Sequence, residues 1–214
     1  RAYSPVAQIF VGILPKVAQV HFSIHRRYYI AEEDSAAELQ EIIEQLNRRG
    51  AEVKTGEIYP TDTVPVLANN KSMVITPFAM KWGYTLPDGK QIINARSETA
   101  ADKPLFRDGM LQRHCLIPAT NYFEWEKRGR DRIKYAIREC DSPILYMAGV
   151  YRIENGKPVF SILTREPAEN IAFIHNRMPV ILHPEAKNDW LNVRYAAGDV
   201  LKASCLDVSF MRCD

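Results

Sequence analysis

The sequence predicts an α+β fold of many short antiparallel strands with helices at the periphery. Three observations carry that expectation. An amphipathic helix lies early, in "EEDSAAELQEIIEQLNRRG", with Leu39, Ile42, Ile43 and Leu46 at helical spacing. From Gly50 onward the apolar stretches are short and are cut by Pro60, Pro65, Pro77 and turn signals. The strand–helix–strand alternation of a doubly wound fold is missing, and so are GxGxxG and a phosphate-binding loop.

In chain order, residues 27–31 are aromatic and β-branched and read as an opening strand. The helix that follows can be capped by Asp34 or Ser35, has acidic residues in its first turn, and closes at Arg48-Arg49-Gly50. Strands are expected in "GEIYPTDTVPVLA" and "KSMVITPFAMKWGYTL". Pro87-Asp88-Gly89 turns the chain, because proline presets φ and glycine accepts a positive one. "QIINAR" resumes a strand, and "SETAADKPLFRDGMLQ" reads as short helix and loop. "HCLIPATNYFEWEK" reads as strand, bend, strand. "RIKYAIRE", "PILYMAGVYRI" and "PVFSILT" are further strands, the last two joined by a hairpin turn at Glu154-Asn155-Gly156-Lys157. "EPAENIAFIH" and "PEAKNDWLN" read as short helices, with "AAGDVLKASC" a candidate third.

The 214 residues fit one domain or two small ones, and 46% hydrophobic content is enough to bury a core. A net charge of +2 gives no global field toward polyanions, so any nucleic-acid site must be a local patch. The four cysteines, Cys115, Cys140, Cys205 and Cys213, form neither CxxC nor a Cys/His cluster with zinc spacing. They read as inert thiols in a reducing cytosol, with no metal or other cofactor expected. The apolar run at 3–24 is broken by Pro5, Gln8, Pro15, Lys16, Gln19 and His21, which makes a poor membrane span and a poor signal peptide. Residues 1–24 read either as a packed N-terminal strand or as an extension preceding a domain of residues 25–214.

Three polar constellations sit in apolar, strand-like contexts: Asn94-Ala95-Arg96-Ser97-Glu98, Asn121 to Lys127, and Ile174 to Val180. Strand alternation puts Phe123 and Trp125 on one face and Glu124 on the other. Burial of the Glu124 face would make a general acid near neutral pH; exposure would make it an ordinary surface carboxylate. His175, after "NIAFI", reads either as a structural histidine or as an acid–base group. Asn94 and Arg96 share a strand face; Arg96 either binds phosphate or pairs with Glu98. Trp82 and Tyr84 also share a face, as a base-stacking pair or as core. Lys127, Arg128, Arg130, Arg132 and Lys134 form either a phosphate patch or a solvated hairpin tip.

Together these blocks are specific. "WG", then "INARSETA", then "RHCLIPATNYFEW", then "FSILTREPAENIAFIHNRMPVIL" closely resemble the SOS response-associated peptidase family, understood as abasic-site processing proteins. The resemblance covers residues 26–208 and implies a mostly antiparallel, barrel-like β core with a positively charged groove. It implies capture of abasic sites in single-stranded DNA by an N-terminal cysteine. The α-amine would form a Schiff base with the ring-opened deoxyribose, and the thiol would then close a thiazolidine.

Carried over position by position, the resemblance makes Asn94 the residue that holds the reacting end. Glu124 would assist proton transfer, and His175 would assist sugar ring opening and reversal. Arg27, Trp82 and Arg96 would contact DNA, with Trp82 bordering the channel and Arg96 on a phosphate. The family begins Met-Cys-Gly-Arg before an aromatic strand, whereas this sequence reads Ile24-His25-Arg26-Arg27. His25 therefore stands where the nucleophile is expected, and residues 1–24 precede it. The resemblance implies a monomer acting on abasic single-stranded DNA, with no membrane partner, in the cytoplasm and on the nucleoid. The missing thiol opens two alternatives: a non-catalytic single-strand or junction binder, or an autopeptidase that exposes its own N-terminus.

Overall fold

Among the described residues, proline, glycine and alternating apolar residues divide the chain into fifteen strands and four α-helices. The computed structural model describes residues 27–31 and 36–213. The segment 1–24, the position of His25 and the helix caps Asp34 and Ser35 lie outside the described residues. The elements are β1 (Arg27–Ile30), α1 (Ala37–Arg48), β2 (Gly56–Ile58), β3 (Thr63–Asn69), β4 (Ile75–Trp82), β5 (Tyr84–Thr85), β6 (Gln91–Ile92) and β7 (Asn94–Arg96). They continue as α2 (Pro104–Gln112), β8 (His114–Ala119), β9 (Asn121–Arg128), β10 (Asp131–Glu139), β11 (Leu145–Glu154) and β12 (Lys157–Arg165). The last are β13 (Met178–Pro179), β14 (Ile181–Leu182), α3 (Lys187–Leu191), α4 (Ala197–Lys202) and β15 (Val208–Cys213).

Five strands close on themselves. β12 pairs antiparallel with β11 and parallel with β4, and β4–β3–β8–β11 complete the ring. The fold is therefore mostly β with a closed five-stranded barrel and peripheral helices, as the family resemblance implied. A second sheet, in the order β15–β10–β9–β1–β2, lies beside it. The two sheets are stitched by the bend at Thr120, where the chain leaves β8 in the barrel and enters β9 in the sheet. All six residues of β8 are buried, which explains why "HCLIPA" lacks alternation: a strand covered on both faces reads as a continuous apolar run.

Local chemistry accounts for the turns. Asn155 (φ 49) and Gly156 (φ 77) both take left-handed backbone, the signature of the tight hairpin turn that joins β11 to β12. Helix α1 buries Leu39, Ile42 and Leu46 against the core and exposes its charged face. The helix expected in "EPAENIAFIH" is a single 3₁₀ turn at Glu169–Ile171. Pro167 precedes it and Ile171 and Ile174 are both drawn into the core, leaving too few residues to nucleate an α-helix. Among the described residues no helix is long and apolar enough to cross a membrane.

One barrel glycine has a steric role. A Cβ at Gly149 would lie 2.7 Å from Ile117 Cδ1 and 3.0 Å from the Ser161 carbonyl oxygen. Gly149→Ala is expected to destabilise the chain by about 1–3 kcal/mol through overpacking, read by chemical denaturation. An unchanged midpoint would show that the barrel wall has slack there.

Candidate active site

Between the barrel and the second sheet lies a cavity of about 310 Å³, a volume suited to a small ligand or one nucleotide residue. Asn94, Glu124, His175, Arg27, Trp82 and Arg96 all line it. They come from five separate places: β1, β4, β7, β9 and the loop before β13. Tyr28, Tyr122, Thr164 and Arg177 complete much of the wall.

β9 sets the inner surface. Phe123 and Trp125 are half-buried on the outer face, where Lys134 lies 3.8 Å from the Phe123 ring centre and Arg27 lies 5.3 Å from that of Trp125. Glu124 and Tyr122 therefore turn inward, and Glu124 is only 9% exposed. The burial alternative for Glu124 is the one the fold adopts.

The floor is apolar. Trp82 is 2% exposed, lies 6.4 Å from Phe160 in a stacked pair, and donates its indole N–H to the Ile93 carbonyl at 2.9 Å. Tyr84 is 1% exposed. Of the two alternatives for this pair, stacking platform or core, the fold adopts core, with no free ring face for a base. Trp82 touches the cavity only as its base.

β7 runs parallel to β12, with Asn94 opposite Ile162 and Arg96 opposite Thr164. This register holds Asn94 in the wall and Arg96 on the exposed rim. Glu98 pairs not with Arg96 but with Arg177, through two hydrogen bonds of 2.8 and 2.7 Å. Arg177 also donates to the Thr164 carbonyl. The Arg177 guanidinium thus clamps the segment carrying His175 to β12. It also holds the Glu98 carboxyl below its usual value, chiefly by hydrogen bonding and against some burial.

His175 is fixed from the same segment. Its Nδ1 lies 3.1 Å from both the amide nitrogen and the carbonyl oxygen of Arg177. Either tautomer engages the backbone through Nδ1 and leaves Nε2 for other partners.

Charge around the cavity is unevenly spent, and the Arg27 guanidinium sits with Lys134 on the outer face of the second sheet. Arg27 donates to Glu57 at 2.9 Å, and Lys134 donates to the same carboxylate oxygen at 3.1 Å. Burial opposes ionisation of Glu57, but these two cations outweigh it and its pKa is lowered. With Arg177 committed to Glu98, the exposed Arg96 makes no ion pair among the described residues. The basic tip of the β9–β10 hairpin is partly neutralised: Arg128 is held by Glu126 at 3.0 and 3.1 Å.

Among the described residues, the buried polar atoms of wall residues that find no hydrogen-bond partner include the hydroxyls of Tyr28 and Tyr122, the side-chain oxygen of Asn94 and Nε of Arg177. Buried polar groups are almost always satisfied, so such a cluster around one cavity sets this wall apart from the rest of the core. Burial drives both phenol pKa values up, with Asp62 adding to the effect at Tyr28 and Glu124 at Tyr122. Both hydroxyls therefore remain donors. Tyr122 was within reach of the sequence, since it alternates with Glu124 onto the same face. Tyr28 and the Arg177 clamp were not, because they depend on pairings between distant segments.

Among the described residues no cysteine lines the cavity. Cys115 and Cys205 are buried, Cys140 is exposed and Cys213 is half-buried, all as free thiols. Burial pushes the Cys115 thiol far above its usual range, so it cannot act as a thiolate.

The Arg177 clamp predicts a linked loss of order. Arg177→Ala is expected to cost about 1–2 kcal/mol, a modest figure because Glu98 is half-exposed. Because the Glu98 pKa is lowered on folding, its contribution is full above the unfolded value of about 4.3 and is lost as pH falls through the lower folded value. The stability gap between the unmodified chain and Glu98→Gln should therefore close below about pH 4. Thermal melts from pH 3 to 7 check this; a gap independent of pH would remove the clamp.

Residues 26–209 match the SOS response associated peptidase (SRAP) family. Abasic site processing protein YoqW of Bacillus subtilis (strain 168) is 32% identical over 184 residues, spanning 78% of this chain and 82% of that protein. Abasic site processing protein YobE of the same organism is 32% identical over 187 residues, 79% of this chain and 85% of the relative. A crystal structure of a Bacteroides thetaiotaomicron protein shares the fold, with a TM-score of 0.69 and 22% identity over 88% of this chain and 91% of that one. The matched residues run from just before β1 into β15: this chain belongs to the SOS response associated peptidase family.

Proposed function

We propose that this chain recognises abasic sites in single-stranded DNA and holds the ring-opened deoxyribose in the cavity between barrel and sheet. The observation that carries this reading is the convergence of Glu124 and His175, one from β9 and one from the loop before β13, on a cavity with unsatisfied polar groups and a cationic rim. In this reading the Tyr28 and Tyr122 hydroxyls and the Asn94 amide bind the sugar oxygens. Glu124 and His175 move protons during ring opening, through the carboxyl and through imidazole Nε2. Arg96 takes the adjoining phosphate, and Arg27 flanks it from β1. A base fills the cavity poorly, because the buried indole of Trp82 offers no stacking face.

Covalent capture by thiazolidine needs a thiol beside a free amine. His25 stands at the position matched to the family cysteine, and no thiol among the described residues reaches the cavity. As this sequence stands, the reading is recognition without a stable crosslink. That same observation favours a second reading, a non-catalytic single-strand binding module.

Fluorescence anisotropy with labelled single strands separates the two. Tighter binding to an abasic strand than to the undamaged strand supports abasic recognition; equal affinity supports the binding module. Arg96→Ala is expected to weaken binding to either strand and to reduce the salt dependence, with a change in the log–log slope of about 0.7. An unchanged slope would take Arg96 off the phosphate.

A further inference from the structure

Away from the cavity, three chain segments remote in sequence meet at their ends. Glu139 closes β10, His183 follows β14, and Cys205 lies before β15. Register brings them together: Glu139 pairs with Val208, and Cys205 bridges Ile181, donating its N–H to the Ile181 carbonyl at 2.8 Å. A carboxylate oxygen, an imidazole nitrogen and the sulfur all lie within 4.8 Å of one another. His183 Nδ1 is 3.6 Å from Glu139 Oε1.

The carboxylate is the informative member. The Glu139 side chain is only 5% exposed; the Cys205 thiol interacts with its carboxylate, and Oε2 is buried with no hydrogen-bond partner of its own among the described residues. A weak S–H donor compensates a buried carboxylate poorly, whereas a cation shared by the two would satisfy it. Asp141 and Glu185 lie close enough to add negative field at Glu139. One carboxylate oxygen, one imidazole nitrogen and one sulfur form the mixed donor set of a borderline-soft divalent ion, not of calcium or magnesium. Bonds of about 2.0–2.3 Å in a tetrahedral site put ligand atoms roughly 3.3–3.8 Å apart, so contraction by about an ångström would complete the shell. The His183 side chain, 42% exposed, is free to make that adjustment and leaves a fourth, solvent-side position for water.

We propose that Glu139, His183 and Cys205 form a zinc site that staples the end of the second sheet to the barrel. Burial raises the Cys205 thiol to about 11, so the metal itself must displace the thiol proton. Binding forms a sulfur–zinc bond and releases that proton to solvent. The staple joins β10, the neighbour of the strand carrying Glu124, to β14, which follows the segment carrying His175. This inference is independent of the abasic-site reading and has its own readout.

The test is titration of the reduced chain with Co²⁺, followed by Zn²⁺. The expected result is a thiolate-to-cobalt charge-transfer band with tetrahedral ligand-field absorption, displaced by stoichiometric Zn²⁺. Cys205→Ser should abolish the band and Cys140→Ser should leave it intact. Should Cys205→Ser misfold, His183→Gln decides the matter, since its half-exposed site leaves the core packing untouched. It should weaken Co²⁺ binding by about tenfold or more, in the range that loss of site-ordering groups costs metal proteins, and should abolish any zinc-induced rise in melting temperature. No band, a band that survives Cys205→Ser or disappears with Cys140→Ser, or unchanged affinity in His183→Gln would each overturn the proposal.

Discussion

A chain begun at position 25 with His25→Cys and Arg26→Gly is expected to form a heat-stable adduct with an abasic oligonucleotide, while the unmodified chain forms none. The expectation rests on two reactive groups at one residue. A terminal α-amine has a pKa of about 8, so a usable fraction is neutral at pH 7 and condenses with the sugar aldehyde. A thiol on the same residue then attacks the imine intramolecularly, where effective molarities reach about 10⁵ M or more. An internal residue offers only an amide nitrogen, and histidine offers no sulfur. β1 begins at Arg27, which already lines the cavity. The measurement is a denaturing gel shift. An adduct from the unmodified chain, or none from the altered one, would sink the assignment of position 25.

In that altered chain, His175→Ala or Glu124→Gln is expected to slow adduct formation by about 10²- to 10⁴-fold. Affinity for undamaged single strands should change by less than about threefold, because phosphate contacts dominate such binding. Glu124→Gln is nearly isosteric and keeps the packing of a side chain that is 9% exposed. His175→Ala leaves the Arg177–Glu98 clamp in place. Single-turnover kinetics on a strand with one abasic site provide the readout. Rates within threefold of the parent, with binding intact, would show that neither group moves a proton.

Much of this was legible in the sequence wherever the determinant was local. Helix α1 follows from the spacing of Leu39, Ile42 and Leu46, and the β11–β12 turn follows from Asn155-Gly156. Alternation tells that Glu124 faces away from Phe123 and Trp125 but leaves open which face is buried, and that is set by the packing of the sheet on the barrel. What escaped depends on non-local pairing. Barrel closure rests on a parallel contact of only two residue pairs, Lys81 with Val159 and Trp82 with Phe160. Arg177 finds Glu98 from a different loop, which is why proximity in sequence suggested Arg96 instead. The 170s read as helical because the core takes Ile171 and Ile174 at a spacing a helix would also use. The Glu139, His183 and Cys205 cluster has no spacing signature at all, because its members come from three separate segments.

That narrow parallel junction between β4 and β12 governs when the molecule becomes competent. A crossover between strands so far apart in sequence forms late, since long loops must close before the contact is rewarded. On the ribosome, therefore, no nascent chain can assemble the cavity until β12 has emerged, and the His175 segment must follow it. Translation products that stop short of Lys157 would present unpaired edges on β4 and β11, inviting aggregation.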